Sequence, residues 1–483
     1  MLFNSLQFAA FFSVFINVYF LVRGRHQWAV TLVGSYLFYA AWKPSFLLLI
    51  MASTALDYTA GRQMEANRSN RAVMKRWLIA SLTLNLGLLF VFKYLGFFLD
   101  SLEATLDGLG FSITMPASNI LLPVGISFYT FQTLSYTIDV YRDRCPVEPH
   151  LGRFAVFVSF FPQLVAGPIE RARHLLPQVN TIHRFDFERT RQGAILIGWG
   201  LFKKVVVADL LANLVDAVYA DPRATSNVYL LVATFFFAIQ IYCDFSGYTD
   251  MARGLARIMG YELSLNFVQP YFAASLTEFW RRWHITLSTW FRDYVYIPLG
   301  GNQGTARRVA INTMVVFILS GLWHGAAWTF VVWGAIHGAW LLLERQWRGW
   351  GPGAERATYA AGNRTVSHGL GIAITFAVVL VSWVFFRADS IGDAFYIVGH
   401  LIPTSLPSAA GLSVLGVTRS EFVLSLLVIG ILFVVDLAIE REGKAMAAFN
   451  RSKALRGGLA VGVFYSVFFF ESFGGGDFIY FQF

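Results

Sequence analysis

The run Trp77-Leu-Ile-Ala-Ser-Leu-Thr-Leu-Asn-Leu-Gly-Leu-Leu-Phe-Val-Phe-Lys-Tyr-Leu-Gly-Phe-Phe98 decides the fold. It is long and apolar enough to cross a hydrocarbon core as one helix. The connection before it, residues 61–76, carries Arg62, Arg68, Arg71, Lys75 and Arg76 against a single Glu65. The connection after it, residues 100–119, has Asp100, Glu103 and Asp107 and no Lys or Arg. Cationic connections stay in the cytoplasm, so this span is oriented with its first end inside. Counting back places the N-terminus outside. Counting forward places 142–191, 253–308, 345–364 and 441–456 inside and carries the tail, 471–483, to the outer face.

Comparable apolar runs recur at 5–22, 27–42, 45–60, 120–140, 193–219, 228–246, 309–328, 329–343, 368–386, 421–437 and 457–470, which predicts about twelve spans. Of the 483 residues 56% are hydrophobic and only 14% charged, whereas a soluble domain of this size carries about a quarter charged residues to solvate its surface. A soluble globular protein is therefore excluded. The expectation is an all-α polytopic integral membrane protein, one transmembrane domain over 1–483 with an extracytoplasmic tail at 471–483. The net charge of +9 resides in short loops and forms no basic tail, so it marks topology and a cytoplasmic surface and not nucleic-acid binding. The chain begins without a basic leader or a cleavage site, which predicts a retained first span. Cys145 and Cys243 are too few for a disulfide framework or a thiolate cluster. Residues 350–362 read as a glycine-rich loop.

Two stretches break the pattern. Residues 154–169 are apolar but interrupted by Pro162, Gly167 and Pro168 between arginine-rich flanks, which predicts a re-entrant segment. Residues 263–301 are aromatic but studded with Glu278, Arg281, Arg282, His284, Arg292 and Asp293, which predicts a segment along or dipping into the cytoplasmic face. Together they imply an internal cavity entered from the cytoplasm.

Ionisable groups at membrane depth are costly and therefore the first candidates for chemistry. His324 sits in Phe317-Ile-Leu-Ser-Gly-Leu-Trp-His-Gly-Ala-Ala-Trp-Thr-Phe330, a window without Lys, Arg, Asp or Glu. Its imidazole suits a general base aimed at a hydroxyl or thiol, and equally a structural histidine or a metal ligand. His337, thirteen residues on, would face away from it on a continuous helix, and no His-x-x-x-His spacing supports a zinc site. His284 lies between Arg281, Arg282 and three tryptophans, Trp280, Trp283 and Trp290, which fits either an anion-binding groove or an interfacial amphipathic helix. Ser127, Thr130, Gln132, Ser135, Tyr136 and Asp139 fall within one apolar run, where packing is the commoner use of such groups. Asp244 and Asp250 fit helix caps or ion pairs with Arg253 and Arg257, and Cys243 a small packing residue.

Four strings, in this order, resemble the bacterial branch of the membrane-bound O-acyltransferases: Leu122-Pro-Val-Gly-Ile-Ser-Phe-Tyr-Thr-Phe-Gln132, Gln240-Ile-Tyr-Cys-Asp-Phe-Ser-Gly-Tyr248, the run from Phe279-Trp-Arg-Arg-Trp-His284 to Pro298-Leu-Gly-Gly301, and Gly321-Leu-Trp-His-Gly-Ala326. The resemblance implies that His324 is the catalytic histidine and His284 a second active-site polar residue. It implies a ring of about 11–12 helices, with re-entrant and interfacial pieces, around a central tunnel between cytoplasm and periplasm. The tail Asp477-Phe-Ile-Tyr-Phe-Gln-Phe483 is similar to a terminal Phe-Ile-Tyr-x-x-Phe motif of this family and of a small single-span protein in teichoic acid D-alanylation, which implies that Tyr480 holds the acyl group transiently; from the residues alone Tyr480 equally fits an aromatic belt at the membrane surface.

The expected function is O-acetylation of an exported polysaccharide such as alginate from the bacterial inner membrane. Acetyl-CoA is the expected cytoplasmic donor, with no permanently bound cofactor and no metal. Arg281, Arg282, Arg307 and Arg308 are the candidates for its anionic part. The resemblance also implies a periplasmic partner of the SGNH-hydrolase type to receive the group, in keeping with a chain that shows no extracytoplasmic domain large enough to grip a polysaccharide. Cellulose, peptidoglycan or teichoic acid are alternative acceptors, and a transporter is the non-enzyme alternative.

Overall fold

A computed structural model describes the chain apart from residues 23, 112–113, 115–119, 348–363, 441–478 and 480–483. The expected span 457–470, the connection 441–456, the loop 350–362 and Tyr480 lie outside the described residues. Regular structure in the described residues is helical. Among them, five helices are long and apolar enough to cross a membrane: Arg71–Gly108, Asn227–Met259, Ala306–His324, His368–Arg387 and Arg419–Glu440. Shorter helices such as Leu6–Leu21, Gln27–Ala40 and Ile126–Tyr141 cover other expected spans. The chain divides into two compact units, one of Met1–Ile197 with Thr249–Ser264 and one of Gly198–Tyr248 with Leu265–Phe483.

In the first unit, helix Pro44–Ala66 is tied to the helix from Arg71 by a buried polar network. Asp57, fully buried, accepts hydrogen bonds from Ser81 Oγ at 2.6 Å and Asn85 Nδ2 at 2.9 Å, while Asn85 Oδ1 accepts from Ser53 at 2.7 Å. Such side chains join helices where both faces are apolar. The connection expected over 61–76 is shorter, because the first helix runs on to Ala66 and Asn70 caps the next by accepting from Ala72 N and Val73 N. The acidic loop expected from residue 100 is corrected as well. The helix continues to Gly108, and Asp100, Glu103 and Asp107 are spaced to share one helical face.

Helix Ile126–Tyr141 starts at Gly125, whose φ of 76° and whose approach to the Leu164 carbonyl leave no room for a side chain. Gln132 Nε2 donates to Phe157 O at 2.5 Å and Ser135 Oγ to Gln132 O at 2.7 Å, so this polar face serves packing. The interruption expected at Pro162 is real: helix Leu151–Ser159 stops at Phe160, and Phe161–Leu164 begins a new turn with Pro162 in its first positions. Of the ion pairs expected here, Asp250 meets Arg253 at 3.4 Å, whereas Arg257 turns to Glu262 at 2.7 Å.

The second unit is built on an aromatic core that includes Phe279, Trp283, Trp333, Trp383, Phe386 and Ile479. Between helices Phe187–Leu201 and Asp209–Ala220 the chain forms a π-helical stretch, Phe202–Ala208. Two buried lysines leave it toward helix Asn227–Met259. Lys203 Nζ donates to Ser246 Oγ at 2.9 Å, and Lys204 Nζ bridges Asp209 at 2.8 Å and Asp244 at 2.7 Å. A Cβ on Gly247 would meet the Gly200 carbonyl at 2.7 Å, so the backbones touch and the lysines span a short gap. Asp244 therefore pairs with a lysine, not with the arginines expected from sequence. Breaking a buried ion pair costs more than its net worth, because the remaining charge is left desolvated. Lys204→Met leaves two carboxylates facing each other and is expected to destabilise the protein by roughly 3–5 kcal/mol. A fall in the thermal unfolding midpoint of the detergent-solubilised protein checks it.

Candidate active site

Helix Ala306–His324 ends at the candidate histidine, and Trp328–Trp347 turns back along it after Gly325. Glycines permit the close return. A Cβ on Gly321 would collide with the Phe330 carbonyl, one on Gly334 with the Phe317 carbonyl, and one on Gly325 with the Phe330 ring. The break expected between the runs 309–328 and 329–343 falls at Gly325, so His324 and His337 do not lie on one continuous helix. Trp333 stands between them, its ring centroid 5.1 Å from His324 and 4.8 Å from His337. Trp280 Nε1 donates to His337 Nδ1 at 3.3 Å, which fixes the lone pair of His337 on that nitrogen.

His284 joins helices Leu276–Arg282 and Ile285–Phe291 and adopts φ 41° and ψ 53°, a left-handed conformation uncommon for a residue with a Cβ. Backbone strain of this kind persists where surrounding structure enforces it, and it concentrates at functional sites. Here the enforcement is visible. Ile285 N donates to Asn266 O at 3.0 Å, Thr286 Oγ1 to Asn266 Oδ1 at 2.7 Å, Val268 N to Arg282 O at 3.0 Å, and Ser288 N to His284 O at 3.0 Å.

The two histidines, forty residues apart in sequence, meet with ring centroids 6.2 Å apart. His284 is fully buried and His324 nearly so. Aromatic rings enclose them: Phe245 lies 4.6 Å from His284, Trp323 5.1 Å and Phe386 5.4 Å from His324. Burial pushes the His284 imidazole, outside the long spanning helices, down to about 3, so it is neutral at physiological pH. A neutral imidazole offers one hydrogen-bond donor and one acceptor and does not serve as a cation for an anionic group.

A cavity of about 650 Å³ lies on the same elements as the pair, with neither histidine on its wall. Its walls include Ser288, one turn after His284, and Ser320, one turn before His324. Trp280 and Phe317 supply apolar surface, and Arg281, Arg292 and Arg345 supply charge. Of the four arginines expected at the donor site, only Arg281 lines this cavity. Arg282 is held by Glu278 at 2.6 Å and Glu440 at 2.8 Å. Arg307 and Arg308 are exposed outside the lining, and Arg308 Nη2 donates to Leu299 O at 3.2 Å. Arg292 and Arg345 are the cavity arginines that sequence reasoning missed, because both sit among charges that were used only to assign topology. Among the described residues no group of three or more His, Cys, Asp or Glu side chains is arranged to hold a metal.

A multi-helix membrane protein with two buried histidines near a cavity is thus defined by fold and site. Residues 36–383 match the model of the membrane-bound O-acyltransferase family, and the chain belongs to that family; it is an acyltransferase. It is 42% identical over 382 residues to a probable alginate O-acetylase of Pseudomonas aeruginosa, an alignment covering 79% of this chain and 71% of that protein. It is 33% identical to a peptidoglycan O-acetyltransferase of Helicobacter pylori, covering 83% and 80% of the two chains. With a teichoic acid D-alanyltransferase of Streptococcus thermophilus it shares 28% identity over 60% of this chain and 72% of that one.

Proposed function

We propose that this acyltransferase takes acetyl groups from cytoplasmic acetyl-CoA and delivers them across the bacterial inner membrane for O-acetylation of an exported polysaccharide. The observation that carries this reading is the convergence of His284 and His324 in a buried aromatic cage near a cavity with an arginine wall. His324 acts as general base. It takes the proton of the incoming hydroxyl as that oxygen bonds to the thioester carbonyl carbon; the C–S bond breaks, and the imidazolium returns the proton to the leaving thiolate. His284, neutral, orients the acyl carbonyl, and exclusion of water protects the thioester from hydrolysis.

Tyr480 is the proposed first acceptor, its tail on the periplasmic side. A phenyl ester is reactive enough to pass the acetyl group to a periplasmic SGNH-hydrolase-type partner, which regenerates the phenol. Two relative classes favour O-acetylation, and the higher identity of the alginate-related one supports a uronic-acid polymer as final acceptor. Purified protein incubated with radiolabelled acetyl-CoA is expected to release free CoA and label an acceptor. Absence of consumption while another acetyl thioester is consumed would overturn the donor assignment. Acetylation of peptidoglycan but not alginate in cells would overturn the polymer.

Arg281, Arg292 and Arg345 contact the anionic part of the donor in this reading. The double substitution Arg292→Gln with Arg345→Gln is expected to raise the KM for acetyl-CoA by about tenfold, with kcat changed little, since charge-assisted hydrogen bonds remote from the reacting carbon contribute uniform binding. Steady-state kinetics over donor concentration check this.

A further inference from the structure

We infer that Ser320 is a further catalytic residue, its hydroxyl donating a hydrogen bond to the acyl carbonyl oxygen of the donor held in the cavity. The inference deepens the proposed acetyl transfer and rests on that reading. The hydroxyl side chains on the cavity wall are those of Thr277, Ser288, Thr289, Tyr296, Thr313 and Ser320. All but the last are engaged within the protein. Thr289 Oγ1 donates to Thr286 O at 3.0 Å, Thr313 Oγ1 to Val309 O at 2.9 Å and Ser288 Oγ to Trp283 O at 3.3 Å. Tyr296 Oη donates to Asn302 Oδ1 at 2.7 Å and Thr277 Oγ1 to Glu344 Oε2 at 3.5 Å. Ser320 Oγ has no hydrogen-bond partner among the described residues, although the residue is only 5% exposed. A helical hydroxyl commonly donates back to a carbonyl one turn earlier, as Thr313 does on this same helix. A buried hydroxyl left unbonded is costly, and the cost is recovered when a ligand supplies the acceptor.

The place of Ser320 along the helix says which part of the ligand it meets. Thr313, Val316, Phe317 and Ser320 line the cavity at steps of three and four residues, so they form one stripe of helix Ala306–His324. The next position on that stripe is His324, one turn on. Ser320 is thus the last cavity-wall residue of this helix before the proposed base. The donor lies with its anionic part against the arginines and its thioester toward Ser320. As the incoming oxygen bonds to the carbonyl carbon, the π electron pair moves onto the carbonyl oxygen. Ser320 donates to that oxyanion together with neutral His284, a preorganised pair of donors aimed at developing charge. The serine proton stays on Oγ, and the electron pair returns to the carbonyl as the C–S bond breaks.

Ser320→Ala is expected to lower kcat for acetyl-CoA consumption by about 20-fold with KM nearly unchanged, within what one hydrogen bond to a developing charge contributes. Its thermal unfolding midpoint should stay near that of the unsubstituted protein, since alanine suits a helix interior and no protein hydrogen bond is lost. Ser320→Thr, which keeps the hydroxyl, is expected to recover most of the rate. Undiminished kcat in Ser320→Ala overturns the inference. So does a loss confined to KM, which a contact remote from the reacting carbonyl would give, or a loss of kcat that Ser320→Thr leaves in place. Failure of the underlying reading looks different: the unsubstituted protein then consumes no acetyl-CoA, whereas an active Ser320→Ala beside an inactive His324→Ala removes the serine alone.

Discussion

His324→Ala is expected to abolish acetyl transfer to within the background of uncatalysed thioester breakdown, a loss of about two to four orders of magnitude. The size follows from what the imidazole does. In the proposed step the imidazole takes the hydroxyl proton as the C–O bond forms, within an enclosure of Trp323, Trp333 and Phe386 rings. Single-turnover consumption of radiolabelled acetyl-CoA measures the effect. His324→Gln, closer in volume, separates chemistry from packing: it is expected to keep the unfolding midpoint near that of the unsubstituted protein and still lose transfer. Unchanged donor consumption in His324→Ala would remove the histidine from the mechanism.

The next largest effect is expected at His284, where one residue carries both a side chain and a backbone demand. Asparagine tolerates the left-handed region better than most residues, so His284→Asn is expected to fold while transfer falls by about 10–100-fold through loss of the imidazole. His284→Val places a β-branched residue at φ 41°, where it is a true steric outlier, and is expected to misassemble the segment from Asn266 to Phe291. Fluorescence-detected size-exclusion chromatography checks folding, and the acetyl-CoA assay checks activity. Equal loss of folded protein in both variants would show that the side chain, not the backbone, holds the segment together.

The membrane character of the chain was legible in the sequence for a physical reason: hydrocarbon tolerates few polar groups, so the exceptions, His284 and His324 among them, stand out as candidates. The break near Pro162 was legible because proline cannot continue a helical ladder. Other features depend on partners far apart in the chain. The boundary between the runs 309–328 and 329–343 was legible, but nothing near His337 reveals that the return folds Trp333 between two imidazoles, and nothing near Asp244 reveals Lys204, forty residues earlier, or Ile479, 235 residues later. The arginines show the same limit. Arg281 and Arg282 are adjacent in sequence, yet helical geometry turns Arg282 to two glutamates and leaves Arg281 on the cavity wall.

The π-helical stretch Phe202–Ala208 sets the rotational phase of everything that follows it in that rod. A π turn amounts to one extra residue accommodated in a helix. Deleting a single residue there would let the stretch relax to an ordinary α-helix while Asp209–Ala220 nearly keeps its rotational phase, because the π turn already absorbs the extra residue. The apolar face carrying Leu211, Leu214, Val215 and Val218 would keep its facing, and the change would fall on the stretch itself, Lys203 and Lys204 among its residues. An inserted residue that no further π turn absorbs would instead turn that face by about 100°, so loss of one residue is the length change this rod can accommodate and gain of one is not.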